Sequence, residues 1–404
     1  MERKRLLILL GIMYLAFVLV ALPLMAVSVK AAPEAKTLQI GAIFSLTGQG
    51  SEIEVVMKDA ALMARDWING KGGIAIKGEK FQIELIVEDS KASIDGAIAS
   101  ATKLVTRNKV KFIAGQTRPD ICMATATVTE PAKVIRSLSY GGGMSATMNA
   151  KTPYTFCPFI AGGQYIPTLY TYLVETYPKV NTVAILGQDE PGGIYYSSTS
   201  ENEVKAHGLK MAIKELYPQF TEDYYPILTK VLAAKPDALD GGAVFPSQVI
   251  SILRQSRELG FKGPVFFSTP CDLYIILNGV GKDFSYDCFN VSLDPKGTDI
   301  PPMIQEVRKL WEGKFKTPFL LDTICGWDSL WCLVQAIEKA QSLDPTEVAV
   351  SWEKMGSIET AYGTGHMGGL KTFGINHLVI RPIPVSRLEN GKLKFGKWFM
   401  PKFP

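Results

Sequence analysis

The sequence predicts an α/β protein of two similar lobes, each built on a doubly wound parallel sheet. Three observations predict it. Residues 37–119 alternate strand and helix, the alternation restarts at Asn181, and the chain then returns to helices and closes on a hairpin. Strand–helix alternation means parallel strands joined by right-handed crossovers. At 404 residues the chain exceeds one hydrophobic core.

The first strand lies in Thr37–Glu52, an apolar run that passes into small and hydroxylic residues. A helix follows with Val56, Ala60, Met63 and Trp67 on one face of a 3.6-residue period. Asn69–Gly73 stops it, as Asn and Gly do at a helix C-terminus. Phe81, Ile83, Leu85 and Val87 alternate inward on the next strand, and Ile94, Ile98, Ala101 and Val105 mark the face of the next helix. Val110–Asp120 is the third strand with its exit loop. Doubly wound sheets bind ligands beyond the C-terminal ends of their strands, which points to the loops Ser45–Gly50 and Gln116–Asp120. Next come a helix over Ile121–Glu130, a strand, and the run Gly141–Gly143, where backbone can approach another group closely. Phe156–Tyr177 crosses into an aromatic-rich helix. The second sheet begins at Asn181–Gly193 and includes the helix Ser247–Gly260, with Val249, Ile252 and Leu253 on its apolar side. Near the C-terminus, Asn390-Gly391 is a strong hairpin dipeptide.

Composition is that of an ordinary globular protein, 47% hydrophobic and 20% charged. MERKR, the uncharged apolar run Leu6–Val27 and small residues near Ala31 read as a signal peptide over residues 1–31, with an uncleaved membrane anchor as the alternative. Cleavage would remove four cations and one acid from the formal charge of +4, leaving about +1. That balance implies no nucleic-acid partner. Of the six cysteines, Cys325 and Cys332 stand seven apart in a helical stretch, too far to bridge. Cys122 and Cys157 suit buried apolar positions, and Cys271–Cys288 is the candidate local disulfide.

Catalytic and cofactor motifs are mostly missing. His207, His366 and His377 have no metal-ligand spacing and read as surface or loop residues. There is no G-x-S-x-G, P-loop or C-x-x-C. The one G-x-G-x-x-G, Gly363–Gly368, follows no apolar strand and reads as an inter-lobe loop. Asp189 and Glu190 read as exposed loop acids. Neither a cofactor nor a metal is expected, and binding leads over catalysis.

The pieces GAIFSLTG (Gly41–Gly48), WINGKGGI, VEDS, LVTRNKVKFIAG, KPDALDGGAVFPSQVISILRQSRELG, GWDSLWCLVQAIEKA and RLENGKLKF, in this order, resemble the periplasmic solute-binding proteins of ABC importers, of the branched-chain amino-acid (Leu/Ile/Val) type. The resemblance spans nearly the whole chain after the signal segment. It implies two Rossmann-like three-layer α/β lobes joined by three crossovers, a ligand in the cleft between them, an ABC permease as partner, and a monomer in the periplasm. Lobe one would comprise residues 36–156 and 287–363, and lobe two residues 157–286 and 364–404.

The resemblance places ligand contacts at Ser45 and Thr47, at Gln116, Thr117 and Arg118, and at Tyr140, Gly141 and Gly142. In the second lobe it places them near Gln164, Tyr195 and Phe245. Two departures stand out. Pro119 occupies a position where the family usually has a Ser, so Arg118 either pairs with an anionic ligand group or is solvated at the rim. The Glu expected after Gly242 to hold an α-ammonium is missing, which opens aromatic acids beside amino acids as ligands. The expected function is capture of a small carboxylate-bearing molecule by hinge closure and its delivery to the permease. A ligand-sensing ectodomain and a secreted hydrolase acting through Ser45 are the alternatives.

Overall fold

The first sheet is built around β1 (Lys36–Phe44), in which every residue from Ile40 to Phe44 is buried. A strand covered on both faces reads as a continuous apolar run. The computed structural model describes residues 35–140, 145–242, 245–294, 297 and 300–401. The expected signal peptide therefore lies outside the described residues, as do Gly141 and Gly142. No described helix is long and apolar enough to cross a membrane. Residues from Thr37 onward form one unit.

Strand order in the first sheet is β2-β3-β1-β4-β5-β6, adding β2 (Ile74–Ile76), β3 (Glu79–Asp89), β4 (Phe112–Gly115), β5 (Ile135–Leu138) and β6 (Thr155–Phe156). The pairs β1–β4, β4–β5 and β5–β6 are parallel, and β2–β3 is an antiparallel hairpin. The chain leaves β1 for β3 on one side and reaches β4 on the other, so the strand order reverses at β1. Three helices follow these strands: α1 (Ser51–Gly70), α2 (Ile94–Thr106) and α3 (Pro119–Thr129). At the end of α1, Asn69 donates to the Ile83 carbonyl and accepts from its N–H, tying the helix to β3. On α2 the buried face is Ala97, Ala101 and Leu104, while Ile94 is 50% exposed. This differs from the expected stripe. Ala97 and Ala101 let the helix sit close to the sheet, and Ile94 falls at its solvent end.

The second sheet runs β16-β15-β11-β10-β9-β7-β8. Its parallel part is β7 (Thr182–Gln188), β8 (Lys210–Tyr217), β9 (Ala238–Asp240), β10 (Val265–Phe266) and β11 (Cys288–Val291). The pair β15 (Ile383–Glu389) and β16 (Lys392–Phe399) adds antiparallel to β11. Its turn holds Asn390 at φ 52° and Gly391 at φ 71°, as a type I′ turn requires. Helices α4 (Gly162–Thr176), α5 (Pro191–Ala206), α6 (Tyr225–Ala233), α7 (Pro246–Glu258) and α8 (Leu273–Val280) accompany this sheet.

Helices α9 (Pro302–Lys314), α10 (Leu321–Ala340) and α11 (Pro345–Glu353) follow β11, and a short α12 (Leu370–Phe373) lies near the end. α10 is buried on nearly every side, Asp322, Thr323, Asp328 and Ser329 included among its apolar residues. It packs against α1, with Trp67 and Trp327 edge-to-face at 5.3 Å between ring centroids.

Several expectations are corrected. Gly363–Gly368 is not a loop but strand β13, the centre of a three-stranded antiparallel sheet with β12 (Ile358–Thr360) and β14 (Leu378–Ile380). Its glycines admit the neighbouring strand: a Cβ on Gly365 would stand 2.7 Å from the Ile380 carbonyl oxygen. β14 also bridges Cys157 beside the first sheet, so 364–380 stays there, whereas β11 (288–291) belongs to the second sheet. The chain thus passes between sheets near 157–161, beyond Val291, and near 381–382. At the last of these, the buried Arg381 guanidinium lies 5.3 Å from the ring centroid of Phe159 and 4.2 Å from that of Tyr362.

All six cysteines are free and buried. Cys288 sits beside Val265 at the start of β10, and Cys271 lies past that strand's far end, so the two do not bridge. His377 is a core residue, stacked on Phe156 at 3.8 Å with its Nδ1 2.9 Å from the Thr155 carbonyl oxygen. Burial pulls its pKa down to about 4.

One substitution tests the α1–α10 contact. A Cβ on Gly326 would fall 2.1 Å from the Met57 carbonyl oxygen. Gly326→Ala is expected to destabilise the protein by about 1–3 kcal/mol, read as a lower denaturant midpoint, despite the better helix propensity of Ala.

Candidate functional site

The loops at the C-terminal ends of both sheets enclose a cavity of ≈ 90 Å3. From the first sheet come Gln49 and Gly50 after β1, Ile53, Glu54 and Met57 of α1, Thr117, Arg118 and Pro119 after β4, and Tyr140 after β5. From the second come Glu190 after β7, Tyr196 of α5, Phe245 and Pro246 after β9, and Thr269 to Asp272 after β10. Leu321 and Asp322 at the start of α10 complete the wall. Gly50 faces Phe245 so closely that a Cβ there would stand 3.0 Å from the ring, and its φ of 82° also suits glycine.

Buried carboxylates fix these loops. Glu54, 4% exposed, accepts from the Ser45 N–H at 2.6 Å and from the Thr117 hydroxyl, joining the exits of β1 and β4. Burial raises its pKa against those bonds. Asp89 accepts from the Leu46 N–H and the Thr47 hydroxyl, both at 2.8 Å. On the other side Asp240, fully buried at the end of β9, accepts from Ser200 at 2.6 Å, Tyr170 at 3.2 Å and the Ser268 N–H at 2.9 Å. Its pKa is also raised by burial.

Two further acids stand at the cavity itself. Asp272 caps α8 through the Tyr274 N–H at 2.8 Å and takes the Leu321 N–H at 3.1 Å, linking the β10 exit to α10. Burial pushes its pKa up to about 6. Asp322 is pushed up to about 7, first by burial and then by the charge of Asp272. Arg118 reaches the wall, but its guanidinium is engaged: Nη2 and Nε donate to Asp120 at 2.5 and 3.1 Å, and Nη1 donates to the Ala92 carbonyl at 2.9 Å.

Of the residues singled out in the sequence, Thr117, Arg118, Tyr140 and Phe245 line the cavity. Ser45 does not; it is buried with its hydroxyl 2.9 Å from that of Ser90. Thr47 is held by Asp89, and the Gln116 side-chain oxygen accepts from Thr125 and Arg136. Gln164 accepts from the Ala161 N–H in the first turn of α4, and Tyr195 packs edge-to-face on Tyr196. Glu190 is not a free loop acid. It caps α5 through the N–H groups of Gly192 and Gly193 and lines the cavity.

The profile of the periplasmic binding protein family matches residues 37–392. The chain belongs to that family. It is a family of solute-binding proteins rather than of enzymes, and its type I fold is the pair of doubly wound lobes described above. One relative is the leucine-, isoleucine-, valine-, threonine- and alanine-binding protein of Pseudomonas aeruginosa, 23% identical over 354 residues that cover 84% of this chain and 88% of the relative. A branched-chain amino acid transporter substrate-binding protein from Streptococcus pneumoniae, solved with isoleucine, aligns at TM-score 0.75 and 17% identity, covering 91% of this chain and 100% of that one. A solute-binding protein of an ABC transporter from Rhodopseudomonas palustris, solved with 3,4-dihydroxybenzoic acid, aligns at TM-score 0.75 and 20% identity, covering 91% and 99%.

The sequence reading passed over Glu54, Asp272 and Asp322. For Asp272 a signal existed, since it lies in the loop that follows a parallel strand, as Arg118 does. For Glu54 and Asp322, both inside helices, the sequence carried none.

The raised pKa values set a pH dependence. A carboxyl that holds its proton more tightly when folded adds stability at low pH and loses it as pH rises through the folded value. Between about pH 4 and the folded values near 6 and 7, the ligand-free protein therefore loses the contribution of Asp272 and Asp322. The melting temperature of wild type relative to Asp322→Asn is expected to fall between pH 5 and pH 8. A difference independent of pH would count against the assignment.

Proposed function

We propose that the protein is an extracytoplasmic receptor that captures a small carboxylate-bearing molecule between its lobes and delivers it to an ABC permease. One observation carries the reading: a single cavity is walled by strand-exit loops of both sheets, so a ligand there contacts both lobes at once. Such a ligand favours a closed over an open arrangement by its differential contacts. The three passages between the sheets act as the hinge. Apolar side chains of Ile53, Met57, Tyr140, Phe245 and Ile275 receive the ligand's carbon skeleton. α3 starts at the cavity without a side-chain cap on its first turn, which suits an anionic group. The named ligands of the relatives, branched-chain amino acids and a dihydroxybenzoic acid, fit this chemistry.

The test is a thermal-shift screen of the purified protein against aliphatic and aromatic amino acids and hydroxybenzoates. A ligand at a hundredfold its Kd adds about 2.7 kcal/mol and raises Tm. Small-angle scattering should show contraction with the same ligand, and the ligand should be recovered unaltered. Chemical conversion of the ligand, or no response across the panel, would overturn the reading.

A further inference from the structure

The charge at the cavity wall is lopsided. Glu54, Glu190, Asp272 and Asp322 reach it, and among the described residues Arg118 is the one lining cation. Arg118 is already paired with Asp120. Three of the acids are likewise engaged: Glu54 by Ser45 and Thr117, Glu190 by the first turn of α5, Asp272 by two backbone N–H groups.

Asp322 is different. It is 9% exposed, and among the described residues only its own backbone N–H bonds its carboxylate. The charged groups acting on it are Asp272 and Glu52, both acids; Tyr140, Cys271 and Cys325 are the other titratable groups beside it. A buried carboxylate with one backbone donor and no cation beside it is costly. A second observation falls on the same wall: Thr269, 6% exposed, has a hydroxyl without a hydrogen-bond partner. An acceptor pair and an unsatisfied hydroxyl around one small cavity match a group that brings several N–H donors and a positive charge.

On the footing of the receptor function above, we propose that Asp322, backed by Asp272 and Thr269, is the subsite for a ligand ammonium group. The receptor thereby selects an amine-bearing acid over the des-amino acid of the same skeleton. Asp272 adds attraction for the ammonium without leaving its two backbone bonds.

Calorimetric titration of the purified full chain tests this with matched probes: L-phenylalanine, 3-phenylpropanoate and 2-phenylethylamine, and L-isoleucine beside 3-methylpentanoate. Each amino acid is expected to bind its des-amino partner's site more tightly by roughly ten- to a hundredfold, the span of one charge-assisted hydrogen bond. Asp322→Asn should erase that preference and Asp322→Glu retain part of it. Equal or tighter binding of the des-amino acids, or a preference that survives Asp322→Asn, overturns the subsite. Des-amino acids binding alone would remove the ammonium subsite and leave the receptor function standing; silence from every probe would remove both. Should Asp322→Asn fail to fold, the wild-type comparison decides alone.

Discussion

Each lobe depends on a buried carboxylate at the tips of its central strands. In a parallel sheet the C-terminal ends open into loops whose N–H groups need partners, yet those loops must also leave room for a ligand. Glu54 answers this in the first lobe by accepting from Ser45 and Thr117, and Asp240 in the second by accepting from Ser200, Tyr170 and Ser268. Both acids are desolvated, so each is tolerable only while its donors stay in place. The cavity wall is as rigid as these two knots.

Much of the architecture was legible because burial on both faces writes itself into sequence. β1 and β4 are apolar runs, β3 alternates, helices show their period, and Asn390-Gly391 admits one kind of turn. The passages between lobes were less legible. Gly363–Gly368 looks like a loop because half of its residues are glycine, yet Gly365 and Gly368 are glycines that Ile380 packs against. No local pattern distinguishes those two causes.

The site was legible as loops and not as side chains. Loops after β1, β4, β5, β7 and β9 do surround the cavity, but Ser45, Gln116 and Gln164 turn inward, and the exposed Thr47 bonds Asp89 instead. Polar residues at strand ends serve both purposes, and only packing assigns one. Arg118 shows the same ambiguity from the other direction: it reaches the wall, yet Asp120, two residues on, takes its charge. The least engaged acid at the cavity, Asp322, comes from a helix start that is distant in sequence from every strand-exit loop.

Arg381 has a mechanical consequence. It belongs to the last strand passing between sheets, and it stacks on Phe159 of the first such strand and on Tyr362. One guanidinium laid against two rings cross-links the first and last passages, so neither segment can shift its register alone without breaking that contact.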